Sequence, residues 1–242
     1  MPDERVDPER LDGRLGHRFR DRELLARALT HASARDAHNE RLEFLGDAVL
    51  DLVVAEALYF ALPGKREGEL TELKALLVSR DTLERVGRRL GLEEWIETGR
   101  GLAGRGSLPR SVLGNAVEAL LGAVYLDLEP PGRLAGAARV AWSWLLPEMP
   151  RLARELVRSR AKPKLQAWAQ RERGCLPAYP LLDSFHHPET HAFLVAAEVA
   201  GRRFPAAWGS SKKDAERFAA WEALMVLERE GALPPPREEP GA

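Results

Sequence analysis

Apolar residues recur three and four positions apart through most of residues 1–146, the spacing of helices that bury one face. Leu11, Leu15, Leu24, Leu25, Ala28 and Leu29 follow it, and Asp21 stands where a helix N-cap belongs. A long helix is predicted over 39–61, stopped by Pro63 and Gly64. A single helix over 69–90 is predicted from Leu70, Leu73, Leu76, Leu77 and Leu83, with Gly91 as its stop. Another, 109–126, carries Leu113, Val117, Leu120, Leu121 and Val124, and the next, 131–146, packs Trp142 and Trp144 at its end. The glycine-rich run 99–107 predicts a connecting loop. Pro147 and Pro150 then interrupt the pattern, and the charged stretch up to Arg160 reads as a short helix or linker.

Beyond residue 161 the period shortens. A helix over 163–173 bearing Leu165, Trp168 and Ala169 is followed by three strand-like runs, 178–184, 191–200 and 202–208. A closing helix over 211–229 buries Ala215, Phe218, Ala219, Leu224 and Leu227. The expected architecture is an all-α domain over 1–147, a linker over 148–160 and a small α+β domain, α-β-β-β-α, over 161–230. The proline-rich tail 231–242 is expected to be disordered.

Composition narrows the classes. The chain has 242 residues, 45% hydrophobic and 30% charged, a globular balance. No apolar run approaches the roughly 20 residues of a membrane span, and the N-terminus lacks a signal-peptide pattern. Cys175 is the only cysteine, which excludes an internal disulfide and a multi-thiolate zinc site. A cytoplasmic protein is expected. Net charge is −1, but residues 159–229 hold eleven Lys and Arg against eight Asp and Glu, and the rest twenty-five against twenty-nine. A mildly basic C-terminal module beside an acidic body suits a polyanion held by one part and a metal by the other.

The candidate chemistry sits in the first long helix. Glu40, Glu43 and Asp47, at i, i+3 and i+7, fall within an arc of roughly 60° on one helix face. Three like charges among core residues need a cation, a positive partner or open water. For one helix alone, a solvated face is the ordinary reading. Two features weigh against it. Gly46, mid-helix, costs roughly 1 kcal/mol and implies close approach of another chain or ligand. Asn115 and Glu118 repeat the oxygen-donor pattern in a second apolar helix, and antiparallel packing would gather five such side chains. Oxygen donors without His or Cys suit Mg²⁺ and phosphoryl transfer. The run 99–107 lacks both a preceding strand and a Gly-Lys-Ser/Thr ending, so it is not a phosphate-binding loop.

The run over 39–50, Asn-Glu-Arg-Leu-Glu-Phe-Leu-Gly-Asp-Ala-Val-Leu, closely resembles the signature motif of the ribonuclease III family. Leu29-Thr-His-Ala-Ser33 and the segment 67–75 resemble flanking family segments in order and spacing, and the α-β-β-β-α module resembles a double-stranded RNA-binding domain. The resemblance covers about residues 5–230. It implies Mg²⁺-dependent hydrolysis of double-stranded RNA, with Mn²⁺ able to substitute and no other small-molecule cofactor. The products would carry 5′-phosphate and 3′-hydroxyl ends with short 3′ overhangs. Glu43, Asp47 and Glu118 would bind metal directly, with Asn115 as a further ligand. Asp47, Glu118, Glu40 and Glu67 would be catalytic, the last two placing water, RNA or the dimer interface. A homodimer through the signature helices, processing ribosomal RNA precursors and other structured transcripts, is implied. Asn115 departs from the Asp usual in the family.

In the RNA-binding module, Lys212 and Lys213 join positive charge to a helix N-terminus, a phosphate site. Ser211 either caps that helix or touches a phosphate, and Gln166 resembles the residue that reaches a minor groove. The loop expected over 185–191 offers His187 or His191 for RNA, with His191 preferred. The rival function is an RNA-binding regulator whose cleavage is weakened or lost because of Asn115.

Overall fold

The computed structural model describes residues 8–103, 108–187 and 190–233. The chain divides into two compact units, Met1–Leu152 and Ala153–Ala242. The first is helical: α1 (Pro8–Leu15), α2 (Arg22–Ala28), α3 (Glu40–Ala61), α4 (Glu67–Leu77), α5 (Arg80–Leu90), α6 (Arg100–Ala103), α7 (Arg110–Asp127) and α8 (Arg133–Leu145). The segment expected as a linker forms α9 (Met149–Ser159), whose Leu152 is buried.

α7 is the centre of this unit because it is apolar on every side. Between Val112 and Val124 only Asn115 and Glu118 are polar, and nearly all the others are buried. It crosses α3 at two glycines. A methyl group on Gly46 would lie 1.7 Å from the Glu118 carbonyl oxygen, and one on Gly122 2.4 Å from that of Leu42. The approach inferred from Gly46 is therefore made by α7. Trp144, on α8, is buried and donates from Nε1 to the Leu15 carbonyl at 3.0 Å.

The helix expected over 69–90 is broken. Ser79 caps α5, its Oγ accepting from the Thr82 N–H at 3.2 Å, and the Thr82 hydroxyl donates to the Leu76 carbonyl at 2.8 Å. These hydroxyls offer the backbone partners that compete with a continuing helix, while the leucine spacing runs on undisturbed. Gly91 ends α5 in the left-handed conformation, φ +70°.

The second unit contains α10 (Ala161–Arg173), the antiparallel strands β1 (Leu181–His187), β2 (Thr190–Val199) and β3 (Arg202–Gly209), and α11 (Lys212–Arg229). Leu165, Trp168, Val195, Val199, Phe204 and Leu224 form its core. β1 begins three residues later than expected. Pro177 and Pro180 withhold ladder donors, so Ala178 makes only an isolated bridge to Glu198. Phe185, His186 and His187 thus belong to β1 and not to the expected loop, while His191 lies in β2, at the start of the span expected for that strand. The tail beyond Leu233 and residues 104–107 of the expected glycine-rich loop lie outside the described residues; residues 100–103 of that loop are helical.

Candidate active site

A cleft of about 650 Å³ opens beside the crossing of α3 and α7. α3 lines it with Glu40, Glu43 and Asp47, and α7 with Asn115 and Glu118. Five of the six residues expected at the centre therefore meet. Glu67 does not: it stands exposed at the start of α4, accepting a hydrogen bond from the Thr71 hydroxyl at 2.9 Å. The remaining walls bring residues that spacing alone did not single out. His31 comes from the turn after α2, and Arg80 from the first position of α5. Arg80 follows the unforeseen break between α4 and α5, so no helical pattern could have placed it.

The carboxylates strain against one another. Burial pushes the Glu118 carboxyl up to about 7, the charges of Asp47 and Glu43 push the same way, and Arg80 opposes them. Glu43 is likewise raised, first by burial and then by Glu40 and Asp47, while Asn115 and His31 on the same cleft act to lower it. Asn115 thus lies close enough to Glu43 to influence it. Lys74 lies outside this cleft, paired with Asp51 at 2.6 Å.

The donor set fits a hard divalent cation: three or four carboxylates and an amide oxygen whose mutual repulsion a cation would relieve. Among the described residues no three carboxylate or imidazole groups already converge on one ligand point. Binding would turn side chains toward a common point.

In the second unit Ser211 caps α11, its Oγ accepting from the Asp214 N–H at 3.1 Å. Of the two roles expected for Ser211, the structure shows the cap. Lys212 and Lys213 are exposed in the first turn of α11, Gln166 is exposed on α10, and His191 is exposed on β2 across from His186. Lys162 is already paired with Glu216 at 2.7 Å.

A helical unit built around an acidic cleft, joined to an α-β-β-β-α unit with a basic helix start, defines a nuclease paired with an RNA-binding module. Residues 21–130 match the Ribonuclease-III-like family and 161–227 the double-stranded RNA binding motif. Ribonuclease 3 of Rhodopirellula baltica is 40% identical over 97% of this chain and 87% of its own length. That of Pseudomonas fluorescens is 41% identical over 92% of this chain and 96% of its own. A solved nuclease domain of ribonuclease III from Campylobacter jejuni superposes with a TM-score of 0.56 at 36% identity, over 60% of this chain and 99% of that one, and has a region involved in dimer formation. The chain belongs to the ribonuclease III family and is a ribonuclease.

Proposed function

We propose that this protein is a homodimeric, Mg²⁺-dependent endonuclease of double-stranded RNA, leaving 5′-phosphate and 3′-hydroxyl ends with short 3′ overhangs. Mn²⁺ substitutes for Mg²⁺, and ribosomal RNA precursors and other structured transcripts are the substrates. The observation that carries the reading is the convergence of Glu43, Asp47, Asn115 and Glu118 on one cleft where burial and like charge raise Glu118 to about 7. Glu43, Asp47 and Glu118 would hold the metal, which when bound activates water and stabilises the leaving oxygen. Glu40 lies at the rim to place water or RNA, and Glu67, outside its own chain's cleft, acts on RNA or at the dimer seam. The test is a labelled RNA duplex incubated with Mg²⁺ or with EDTA. Metal-dependent cleavage is expected; binding without cleavage would establish the regulator instead.

Asn115 brings an uncharged ligand, which attracts a cation less strongly than a carboxylate in the same place would. The Asn115→Asp variant should therefore reach half its maximal rate at several-fold lower Mg²⁺ than the natural chain. Superimposable Mg²⁺ titrations would count against it.

The dimer rests on the outer face of α3. Phe44 is 80% exposed, Leu52 52% and Tyr59 67%, an apolar stripe that a monomer would leave in water. Beside Phe44 lies a hollow of about 820 Å³ lined by Arg27, Leu45 and Leu126 among others. A protruding ring next to a hollow on one face is self-complementary under a two-fold axis. Phe44→Asp should convert dimer to monomer in light scattering, and an unchanged mass would remove α3 from the interface.

A-form RNA offers phosphates and 2′-hydroxyls more readily than base edges, so Lys212 and Lys213 at the start of α11 are read as phosphate-binding residues, supported by Gln166 and His191. Replacing both lysines with Ala should weaken duplex binding similarly for unrelated sequences. The slope of log affinity against log salt should fall by about 1 for each phosphate no longer neutralised. A salt dependence equal to the natural chain's would place the RNA elsewhere.

A further inference from the structure

We infer that His31 is a substrate-contacting residue, its Nε2–H donating to a non-bridging oxygen of the scissile phosphodiester. The inference rests on the cleft being the site of RNA hydrolysis. The ring's other nitrogen sets the tautomer. The Ser33 backbone N–H donates to His31 Nδ1 at 3.1 Å, and the Ser33 hydroxyl lies 2.8 Å from the same atom. A nitrogen that accepts a backbone N–H carries no proton, so the neutral ring holds its hydrogen on Nε2.

The turn that holds this tautomer is itself braced. The His31 N–H donates to the Glu97 carbonyl and the Glu97 N–H to that of Leu29, both at 2.9 Å. The Gly99 N–H donates to Ser33 Oγ at 3.0 Å, and a methyl group on Gly99 would stand 2.2 Å from the Ser33 carbonyl oxygen, so the two strands of chain press together. On the other side, the Asn39 N–H that opens α3 donates to the Thr30 carbonyl at 2.9 Å. A side chain fixed in orientation and tautomer by its supports is the arrangement of a positioned functional group.

His31 lines the cleft, and among the described residues Nε2 has no hydrogen-bond partner. Its surroundings say what it suits. The lining carries four carboxylates, which repel a phosphodiester, and Arg80 as the other strong donor. A neutral N–H can face a phosphate oxygen, and it does not compete with a cation for the carboxylates.

The experiment exploits the two nitrogens. A glutamine amide extends to the place of Nε2, an asparagine amide to that of Nδ1. His31→Gln should cleave duplex RNA within about fivefold of the natural chain, whereas His31→Asn should lose about 10- to 100-fold in single-turnover rate with duplex affinity within about twofold. If the ring serves only to brace Ser33, Asn is the better replacement and the order reverses. A reversed order, equal losses, or two fully active variants would each overturn the inference. Glu118→Gln measured alongside keeps the two claims apart: its retaining cleavage would sink the cleft itself as the site, whatever His31 does.

Discussion

Glu118→Gln should abolish cleavage of duplex RNA, by about a thousandfold or more, while leaving the protein folded and at alkaline pH more stable than the natural chain. The two halves of this result share one cause. Glu118 sits on the most buried helix, facing Asp47 and Glu43, and its carboxyl is pushed up to about 7 from an ordinary 4.5. Between those values the folded chain keeps a proton that the unfolded chain has released. Stability in the metal-free protein therefore falls as pH rises through that window, because the folded state must then hold a poorly solvated charge. Gln carries no such charge. Urea unfolding in EDTA should show a gap between variant and natural chain that widens from about pH 5 to about pH 8. Cleavage should run the opposite way, declining as pH falls below about 7, with the decline displaced to lower pH as Mg²⁺ competes with the proton. A variant that cleaves at the natural rate would remove Glu118 from the chemistry. A gap independent of pH would remove the burial argument.

Gly46→Ala should lower stability by about 3 kcal/mol or more, a large share of what a domain of this size has. The added methyl would meet the Glu118 carbonyl oxygen at 1.7 Å and its carbon at 2.5 Å. Both are backbone atoms, so no side chain can rotate away and the helices must separate. Cleavage should fall with stability, since α3 and α7 carry opposite walls of the cleft. Gly13→Ala in α1 is the control: nothing lies within 4 Å of the new methyl, and Ala should be neutral or stabilise by up to about 1 kcal/mol. Equal melting curves for Gly46→Ala and the natural chain would contradict the packing of α3 on α7.

Much of this was legible in the order of residues. The long α3, the Asp21 cap, the Gly91 stop and the α-β-β-β-α module follow from periodicity and capping chemistry, and the central helix announced itself by being apolar all round. The convergence of Glu43, Asp47, Asn115 and Glu118 was also foreseeable, because polar residues inside so apolar a helix need a purpose. What escaped depends on local backbone competition. Ser79 and Thr82 break a leucine pattern that continues through them, and the break puts Arg80 on the cleft. Pro177 and Pro180 delay β1, which moves Phe185, His186 and His187 from a loop into the strand. His31 lies in a segment whose resemblance to the family was legible, but its place on the cleft was not, because it relies on Ser33, Glu97 and Gly99, and no spacing rule links residue 31 to residue 99. Glu67 shows the converse. Its resemblance to a site position was clear, yet its own chain leaves it at the surface.

The crossing of Gly46 on Gly122 also sets when a nascent chain can first hold this cleft. Its two walls are encoded about seventy residues apart, and they are locked by a contact that ends at Gly122. A ribosome-bound chain that has exposed α3 alone displays a row of acids with nothing opposite them. Only after α7 has left the exit tunnel and docked is the constellation complete, so a fragment ending before that point should show no cleavage of duplex RNA.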